Sequence, residues 1–241
     1  MRHTPVFDLT DRAEIKRLVR ENPWATIVSA TSTGLVASHY PVLLDDSGDG
    51  GDGLAIVSHV GRPDEQLHEW GAHEVMVVIQ GPHGYISPGW YDDAPAVPTW
   101  NFISAHLYGV PEILEPAENL RVLERLVDHF EDAMPSPRRM RGTLENSAYA
   151  DRISAGTVGF RLPVSRFVAK RKMSQNRPPE TIERIAAELD GTGPYASAEL
   201  AEEVRLANPS VFGVADTADT AGAADTADAA STAGPARPMQ S

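Results

Sequence analysis

The chain has 241 residues and a formal net charge of −13, from 21 basic and 34 acidic side chains, and it contains no cysteine. The lack of cysteine excludes disulfides, thiolate zinc sites, iron–sulfur clusters and cysteine nucleophiles. The acidic balance argues against direct nucleic-acid binding, because such binding draws most of its affinity from Lys and Arg side chains that neutralise phosphates.

The first half of the chain has the pattern of one helix followed by hairpin-connected strands. Thr10 and Asp11 are suited to cap a helix that ends before Pro23. Four strands and a short helix are predicted next, the strands at 25–30, 35–44, 54–60 and 75–79 and the helix at 63–70. The Asp- and Gly-rich segment 45–53 is predicted to be an exposed loop, and the segment 81–98, rich in Gly, Pro and aromatic residues, an ordered loop.

The second half is predicted to contain two long strands, at 100–114 and 157–168, and three helices, around 120–130, 181–189 and 198–206. The polar segment 134–146 is predicted to be a surface connection. From residue 213 the chain consists mostly of Ala, Asp and Thr, which cannot offset their ordering entropy by apolar burial. The sequence therefore predicts one domain over 1–212 and a disordered tail over 213–241.

Hairpin-connected strands with few β–α–β units indicate an α+β fold built on an antiparallel barrel. A helix-turn-helix would need a basic second helix, but the segment 198–206 carries one Arg against three Glu. No apolar run is long enough to span a membrane, and the N-terminus lacks the apolar region of a secretory signal. These features predict a cytoplasmic protein without membrane contact.

An aromatic segment covers residues 81–91 and resumes at 98–101. It holds two of the four tryptophans, Trp90 and Trp100, and two of the six tyrosines. Aromatic rings interleaved with Gly and Pro form rigid concave surfaces that suit a flat ring, and the Asn101 amide can add directed hydrogen bonds. Packing of an aromatic turn against the core explains the same composition, so both interpretations stay open.

A basic run at 170–177 contains four cations in eight residues, mixed with Ser, Gln and Asn side chains. This composition favours an anionic partner such as a phosphate over a merely solvated loop. Ser58 and His59, at the end of a predicted strand, are more simply explained as hydrogen-bonded structural residues. Arg62 suits a phosphate, but a carboxylate partner is the default in so acidic a chain.

Three long segments together resemble the PaiB family, whose members are described as FMN-binding negative transcriptional regulators. They are Gly81-Pro82-His83-Gly84-Tyr85-Ile86-Ser87-Pro88-Gly89-Trp90-Tyr91, Val97-Pro98-Thr99-Trp100-Asn101 and Lys172-Met173-Ser174-Gln175-Asn176-Arg177. The segments 21–26 and 38–41 fit the same pattern. The resemblance runs from the first residue to roughly residue 190, with the order of the motifs kept.

The resemblance implies a split β-barrel related to flavin reductases and pyridoxamine-phosphate oxidases, and a homodimer with its cofactor sites between subunits. FMN is the expected cofactor. Arg62 and Lys172 are expected to serve its phosphate, with the ring near His39 and the loop that carries Trp90 and Trp100. The residues carried over as cofactor-binding by motif match are His39, Ser58, His59, Arg62, Tyr85, Ser87, Trp90, Thr99, Trp100, Asn101, Lys172, Ser174 and Gln175.

The sequence departs from the family pattern at Arg62-Pro63-Asp64, at Gly89, where Ser is common, and at Arg171, where Trp is common. One branch of the family resembles piperazate synthase, a heme enzyme that forms an N–N bond. In that branch His59 is the expected iron ligand, and otherwise no metal site is predicted.

Three functions therefore stay open. The first is a flavin-binding negative regulator that acts indirectly or through a partner, since direct DNA binding is doubtful. The second is a flavin or heme enzyme on the same barrel. The third is a binding module with an empty barrel.

Overall fold

The structure is a computed structural model, and it describes residues 1–45, 53–91 and 95–213. Most of the predicted loop over 45–53 and nearly all of the predicted tail over 213–241 lie outside these ranges. Among the described residues, Asp45 and Gly53 belong to the loop and Gly213 to the tail.

The described part of the chain forms nine strands and seven helices. The strands are β1 (Trp24–Thr31), β2 (Gly34–Pro41), β3 (Leu43–Leu44), β4 (Ala55–Gly61), β5 (Val75–Ile86), β6 (Thr99–Gly109), β7 (Glu112–Ile113), β8 (Thr157–Pro163) and β9 (Arg166–Lys172). The helices are α1 (Arg12–Glu21), α2 (Asp64–Leu67), α3 (Pro116–Glu131), α4 (Leu144–Ser154), α5 (Pro179–Asp190), α6 (Ala198–Leu206) and α7 (Pro209–Phe212). Single 3₁₀ turns lie at Pro5–Phe7 and Pro88–Trp90.

The strands form two antiparallel sheets that share one hydrophobic core. The first sheet has the order β2-β1-β5-β6-β9 and the second β3-β4-β8-β7. Side chains from both sheets are almost fully buried in this core, among them Ile27, Ile79, Leu107, Ile56 and Phe160. The arrangement confirms the predicted α+β class, an antiparallel split β-barrel with peripheral helices.

Two helices pack against different parts of the barrel. The Asp11 side chain accepts a hydrogen bond from the Ala13 backbone nitrogen at 2.8 Å, which caps α1 as predicted. α1 buries Ile15, Leu18 and Val19 in the main core. α3 forms a separate apolar cluster on the second sheet, made of Val57, Leu114, Val122 and Leu126. Within the described ranges, no helix combines the length and apolar character needed to cross a membrane.

Three of the predicted strands are each two strands in the structure. The segment 35–44 divides at Val42 into β2 and β3, 100–114 divides into β6 and β7, and 157–168 divides into β8 and β9. At each division the chain moves from one sheet to the other. Pro41, Pro111 and Pro163 lie at these points, but strand-like residues resume directly after them, so each predicted strand ran through a change of sheet.

Two further predictions were wrong. Residues 81–86, predicted as loop, belong to β5, whose register with β6 shifts between Gln80 and His83. Such a bulge lets a strand accommodate Gly and Pro. Residues 144–154 form α4, although the segment 134–146 was expected to be a surface connection. α4 buries only Ala150 among its described side chains, so it lacks the apolar periodicity by which helices are predicted.

Gly109 ends β6 where the first sheet approaches the second. A Cβ atom at this position would overlap the backbone oxygen of Pro163 at the end of β8. We expect Gly109→Ala to lower the free energy of unfolding by about 1–3 kcal/mol, measured by urea denaturation. Gly53→Ala is the matched control, because nothing lies within 4 Å of the added carbon. Equal stability of the two variants would contradict the close approach of the two strands.

Candidate functional site

Lys172, the last residue of β9, places an ammonium group beside the start of β6. Its ammonium group donates a hydrogen bond to the Thr99 hydroxyl at the start of β6. Partial burial lowers the pKa of Lys172, and the positive charges of Lys170 and Arg177 lower it further. In the described ranges, no carboxylate forms an ion pair with Lys172. The end of β9 therefore carries an uncompensated positive charge.

The neighbouring Arg171 shows the opposite behaviour. Its guanidinium contacts Glu203 of α6 at 2.9 Å and Glu14 of α1 at 2.8 Å, and Glu203 is itself almost fully buried. Successive residues of a strand point to opposite faces, so Arg171 faces the helices while Lys170 and Lys172 face away from them. The three cations thus have different surroundings: Arg171 belongs to an ion-pair cluster, the buried Lys170 donates to the Arg2 carbonyl at 2.6 Å, and Lys172 stays partly exposed.

The turn after β9 is held by side-chain hydrogen bonds. Ser174 has a left-handed backbone with φ of 64°, which is uncommon for a residue other than glycine. The buried Asn101 amide donates to the Ser174 hydroxyl at 3.0 Å. Gln175 accepts from the Met173 backbone nitrogen at 2.6 Å and donates to the Arg171 carbonyl at 2.7 Å. Asn101, Ser174 and Gln175 therefore shape the turn that presents Lys172.

Aromatic rings lie next to this cationic end. Tyr85 of β5 is paired with Trp100 of β6 in the sheet, and their ring centroids are 6.3 Å apart in an edge-to-face arrangement. Trp100 is 55% exposed and also stacks with His83 at 6.4 Å. Lys172 lies in register with Phe102, two residues after Trp100 on β6, so Trp100 and Lys172 start from the same face of the sheet.

The predicted residues of the 87–90 turn have mainly structural contacts. The Ser87 hydroxyl accepts a hydrogen bond from the Gly89 backbone nitrogen at 3.1 Å and caps the turn. Trp90 is half-buried and packs against the core. Tyr91 is buried, with the Arg177 guanidinium 4.5 Å from its ring centroid. Core packing thus describes Trp90 well, whereas Trp100 offers an open ring.

The other predicted residues lie on β2 and β4. His39 is exposed, and its Nδ1 lies 3.0 Å from the Thr26 hydroxyl. The buried Ser58 hydroxyl donates to the carbonyl of Pro41. Arg62 forms an ion pair with Glu65 at 3.2 Å, which is the carboxylate partner expected for it in so acidic a chain. It also donates a hydrogen bond to the Ala155 backbone carbonyl.

His59 is half-buried, with its ring edge against Tyr40 at a centroid distance of 6.2 Å. Burial lowers the pKa of His59, which favours the neutral imidazole. Its buried Nδ1 has no hydrogen-bond partner among the described residues. Iron-ligating histidines hold their second ring nitrogen with an acceptor, which fixes the ring orientation. His59 therefore fits an iron ligand incompletely.

Most of the predicted site residues thus fall into two groups, while Ser87 and Trp90 belong to neither. No hydrogen bond, ion pair or ring contact within the described ranges joins one group to the other. The cationic–aromatic site, as we call the first group, is formed by His83, Tyr85, Thr99, Trp100, Lys172 and Arg177 and is supported by Asn101, Ser174 and Gln175. The second group consists of His39, Ser58, His59 and Arg62.

A buried polar chain that sequence analysis missed runs beside the second group. The fully buried His68 lies 2.7 Å from the Ser29 hydroxyl through Nδ1 and 3.0 Å from the Ser38 hydroxyl through Nε2. Ser38 donates to Asp64 at 3.0 Å, and Tyr40 donates to the same carboxylate oxygen at 2.8 Å. These residues come from β1, β2 and α2 with its capping residue, so no local spacing predicts the chain.

A flavin mononucleotide combines a flat aromatic ring system with a phosphate. The cationic–aromatic site offers matching groups, an open tryptophan ring for stacking and an unpaired ammonium for an anion. The residues present therefore fit this cofactor. In the part of the chain that the structure describes, no three His, Asp or Glu side chains cluster closely enough to hold a metal ion.

Comparisons with known proteins agree with this chemistry. Residues 1–166 match the sequence profile of the family described as "Putative FMN-binding domain". The chain is 32% identical over 172 residues to "Protease synthase and sporulation protein PAI 2" from Bacillus subtilis, covering 71% of this chain and 80% of that protein.

Two solved structures resemble the fold. One is an FAD and heme binding protein from Mycobacterium smegmatis, with a TM-score of 0.52 and 18% identity over 78% of this chain and 81% of that one. The other is a conserved hypothetical protein from Mycobacterium tuberculosis, with a TM-score of 0.50 and 14% identity over 74% of this chain and 94% of that one. At these identities the similarity shows the fold alone.

The buried His68 should make stability depend on pH. Burial lowers the pKa of His68 below its ordinary value of about 6.5. As the pH falls below that value, the unfolded chain binds a proton that the folded chain excludes, so the free energy of unfolding decreases. We expect thermal melts between pH 5 and 8 to show a smaller loss of stability on acidification for His68→Gln. The exposed His3→Gln is the control, and an unchanged slope in His68→Gln would contradict the neutral buried ring.

Proposed function

Because the chain belongs to the PaiB family of FMN-binding domains, we propose that it binds flavin mononucleotide at the cationic–aromatic site. The family match and the identity to the Bacillus subtilis relative support a flavin. The contacts of this chain support the position, since an aromatic surface and an unpaired cation meet there. The bound flavin would supply the electron-transfer chemistry, and the protein its orientation and surroundings.

The observation that supports this position best is the charge of Lys172, which has no acidic partner among the described residues. Burial lowers the pKa of Lys172, and the charges of Lys170 and Arg177 lower it further. Thr99 is its hydrogen-bond partner. A phosphate placed here would form charge-assisted hydrogen bonds and relieve the repulsion among the three cations. Lys172 and Thr99 would hold the phosphate, and Trp100 would contact the ring.

A regulatory effect of this protein would run through a partner. The relative's name connects it with protease synthesis and sporulation, and we extend only the idea of regulation to this chain. α6, which follows α5 in the adjacent pair of helices, carries three glutamates, and its Arg205 pairs with Asp190 and Glu202. Such a helix repels phosphate, so direct DNA contact has little support.

Heme is the alternative cofactor, and the geometry favours it less. His59 provides a neutral imidazole, but its second ring nitrogen lacks the acceptor that a ligating histidine uses among the described residues. Flavin chemistry is therefore the better supported of the two for this chain. An oxidoreductase that uses the bound flavin remains compatible with the same site.

The binding proposal predicts different effects on two flavins. Lys172→Gln should weaken FMN binding by about tenfold or more, because a charge-assisted hydrogen bond to the phosphate is lost. Riboflavin, which lacks the phosphate, should bind the variant and the wild type equally. Flavin fluorescence quenching measures both affinities. Lys16→Gln on α1 is the control and should change neither. Equal FMN affinity in wild type and Lys172→Gln would place the phosphate elsewhere.

We further propose that the protein is a homodimer through the outer face of the first sheet. Large apolar side chains are exposed there, including Trp24 (64%), Leu35 (80%) and Val168 (40%). Val78, half-buried on central β5, lies in register with Thr26 of β1 and His106 of β6 on the same face. Contiguous exposed apolar surface marks an interaction site.

Val78→Glu should convert a wild-type dimer to a monomer, because it places a charge at the centre of this face. Sedimentation velocity at micromolar concentration measures the change. Leu144→Glu on α4 is a matched control, since Leu144 is 92% exposed and lies on another element. A wild-type monomer, or a Val78→Glu variant that remains dimeric, would overturn the proposed interface.

A further inference from the structure

We propose that Tyr195, in the connection between α5 and α6, is a further residue that contacts the flavin ring. This inference rests on the proposed flavin binding and adds one more aromatic side chain to the same site. Tyr195 lies beyond residues 1–166, which are those matched to the family. Its position therefore comes from the contacts of this chain and not from the family match.

Tyr195 extends the aromatic surface of the cationic–aromatic site. Its ring centroid lies 4.9 Å from that of Tyr85, with an interplanar angle of 47°. Tyr85 in turn contacts Trp100, and Trp100 stacks with His83. Four rings from β5, β6 and the α5–α6 connection thus form a continuous row beside Lys172.

The rings of this row are open to a ligand. Trp100 is 55% exposed and Tyr195 is 51% exposed, although each contacts another aromatic side chain. A flat ring laid against the row would remove both exposed faces from water. Stacking on aromatic side chains tolerates different heteroaromatic rings. The row therefore suits the isoalloxazine ring of a flavin whatever phosphate groups the flavin carries.

The backbone holds Tyr195 in this place. The Ser197 backbone nitrogen donates to the Leu189 carbonyl at 2.8 Å, and the Ala196 nitrogen donates to the Gly193 carbonyl at 3.1 Å. These bonds close the connection into a compact turn. Tyr195 is therefore placed before a ligand arrives, which limits the entropy that binding must remove.

The following helix ties this turn to the cationic end. Glu203 of α6 pairs with Arg171 at 2.9 Å, next to Lys172. The Asn208 amide donates to the Met173 carbonyl at 3.0 Å, and the buried Leu200 packs over Gly84. The same segment thus fixes the position of Tyr195 and of the β9 turn, so the ring wall and the phosphate end form a single unit.

The test compares Tyr195→Ala, Tyr195→Phe and wild type for riboflavin and FMN, with affinities measured by fluorescence quenching. We expect Tyr195→Ala to weaken both flavins by about tenfold, because the lost contact is to the ring that they share. Tyr195→Phe should bind both like the wild type, since it keeps the aromatic face. Tyr149→Ala is the control, because Tyr149 is 55% exposed on α4. Thermal melts establish that all variants are folded.

The outcomes separate this inference from the proposal on which it rests. If the wild type binds neither flavin, the flavin proposal fails and Tyr195 has no ring to contact. If the wild type binds both and Tyr195→Ala binds them equally well, the role of Tyr195 is overturned while flavin binding stands. A loss confined to FMN would also overturn it, since that pattern belongs to the phosphate end and Lys172.

Discussion

Positive charge gathers at the end of β9, and among the described residues the charge of Lys172 has no acidic partner. Lys172 is surrounded by Lys170 and Arg177, and its pKa is lowered by burial and by these neighbours. Arg171, in the same run, has two carboxylate partners. Carboxylates thus reach this strand at Arg171, whereas none of the described carboxylates forms an ion pair with Lys172. An ammonium group in these surroundings is stabilised when an anion joins it.

β6 is the strand that places the aromatic residues next to the positive charge at the end of β9. It pairs with β5 on one side and with β9 on the other, so Tyr85, Trp100 and Lys172 meet although they are far apart in sequence. The bulge between Gln80 and His83 lets the aromatic part of β5 continue the ladder. The C-terminal helices then fix the turn after β9 through buried ion pairs and amide contacts. Several residues of the predicted motif, among them Asn101, Ser174 and Gln175, hydrogen-bond within this turn.

The sequence predicted the fold class and the meeting of the aromatic and basic segments, because both depend on long motifs whose chemistry is local. It did not predict the changes of sheet at Val42 and Val164, since a strand pattern continues through them. It also assigned to the cofactor several residues, such as Gln175 and Ser58, whose side chains bond to nearby backbone. The sequence does not distinguish an amide or hydroxyl group that binds a ligand from one that hydrogen-bonds within a turn.

The buried His68 chain and Tyr195 were missed for a different reason. Ser29 and His68 are brought together by the packing of α2 and its following turn against the first sheet, and no spacing in the sequence encodes that contact. Tyr195 lies in a short connection between helices and has no periodic neighbours. Only the tertiary contacts reveal the His68 chain and Tyr195, and each of them lies next to predicted site residues.

A crystal structure of the protein with FMN is the most direct measurement of the central claim. The account predicts the phosphate within hydrogen-bond distance of Lys172 Nζ and the ring against Trp100. A phosphate bound near Arg62 instead, or a ring that leaves Trp100 fully open to solvent, would contradict it.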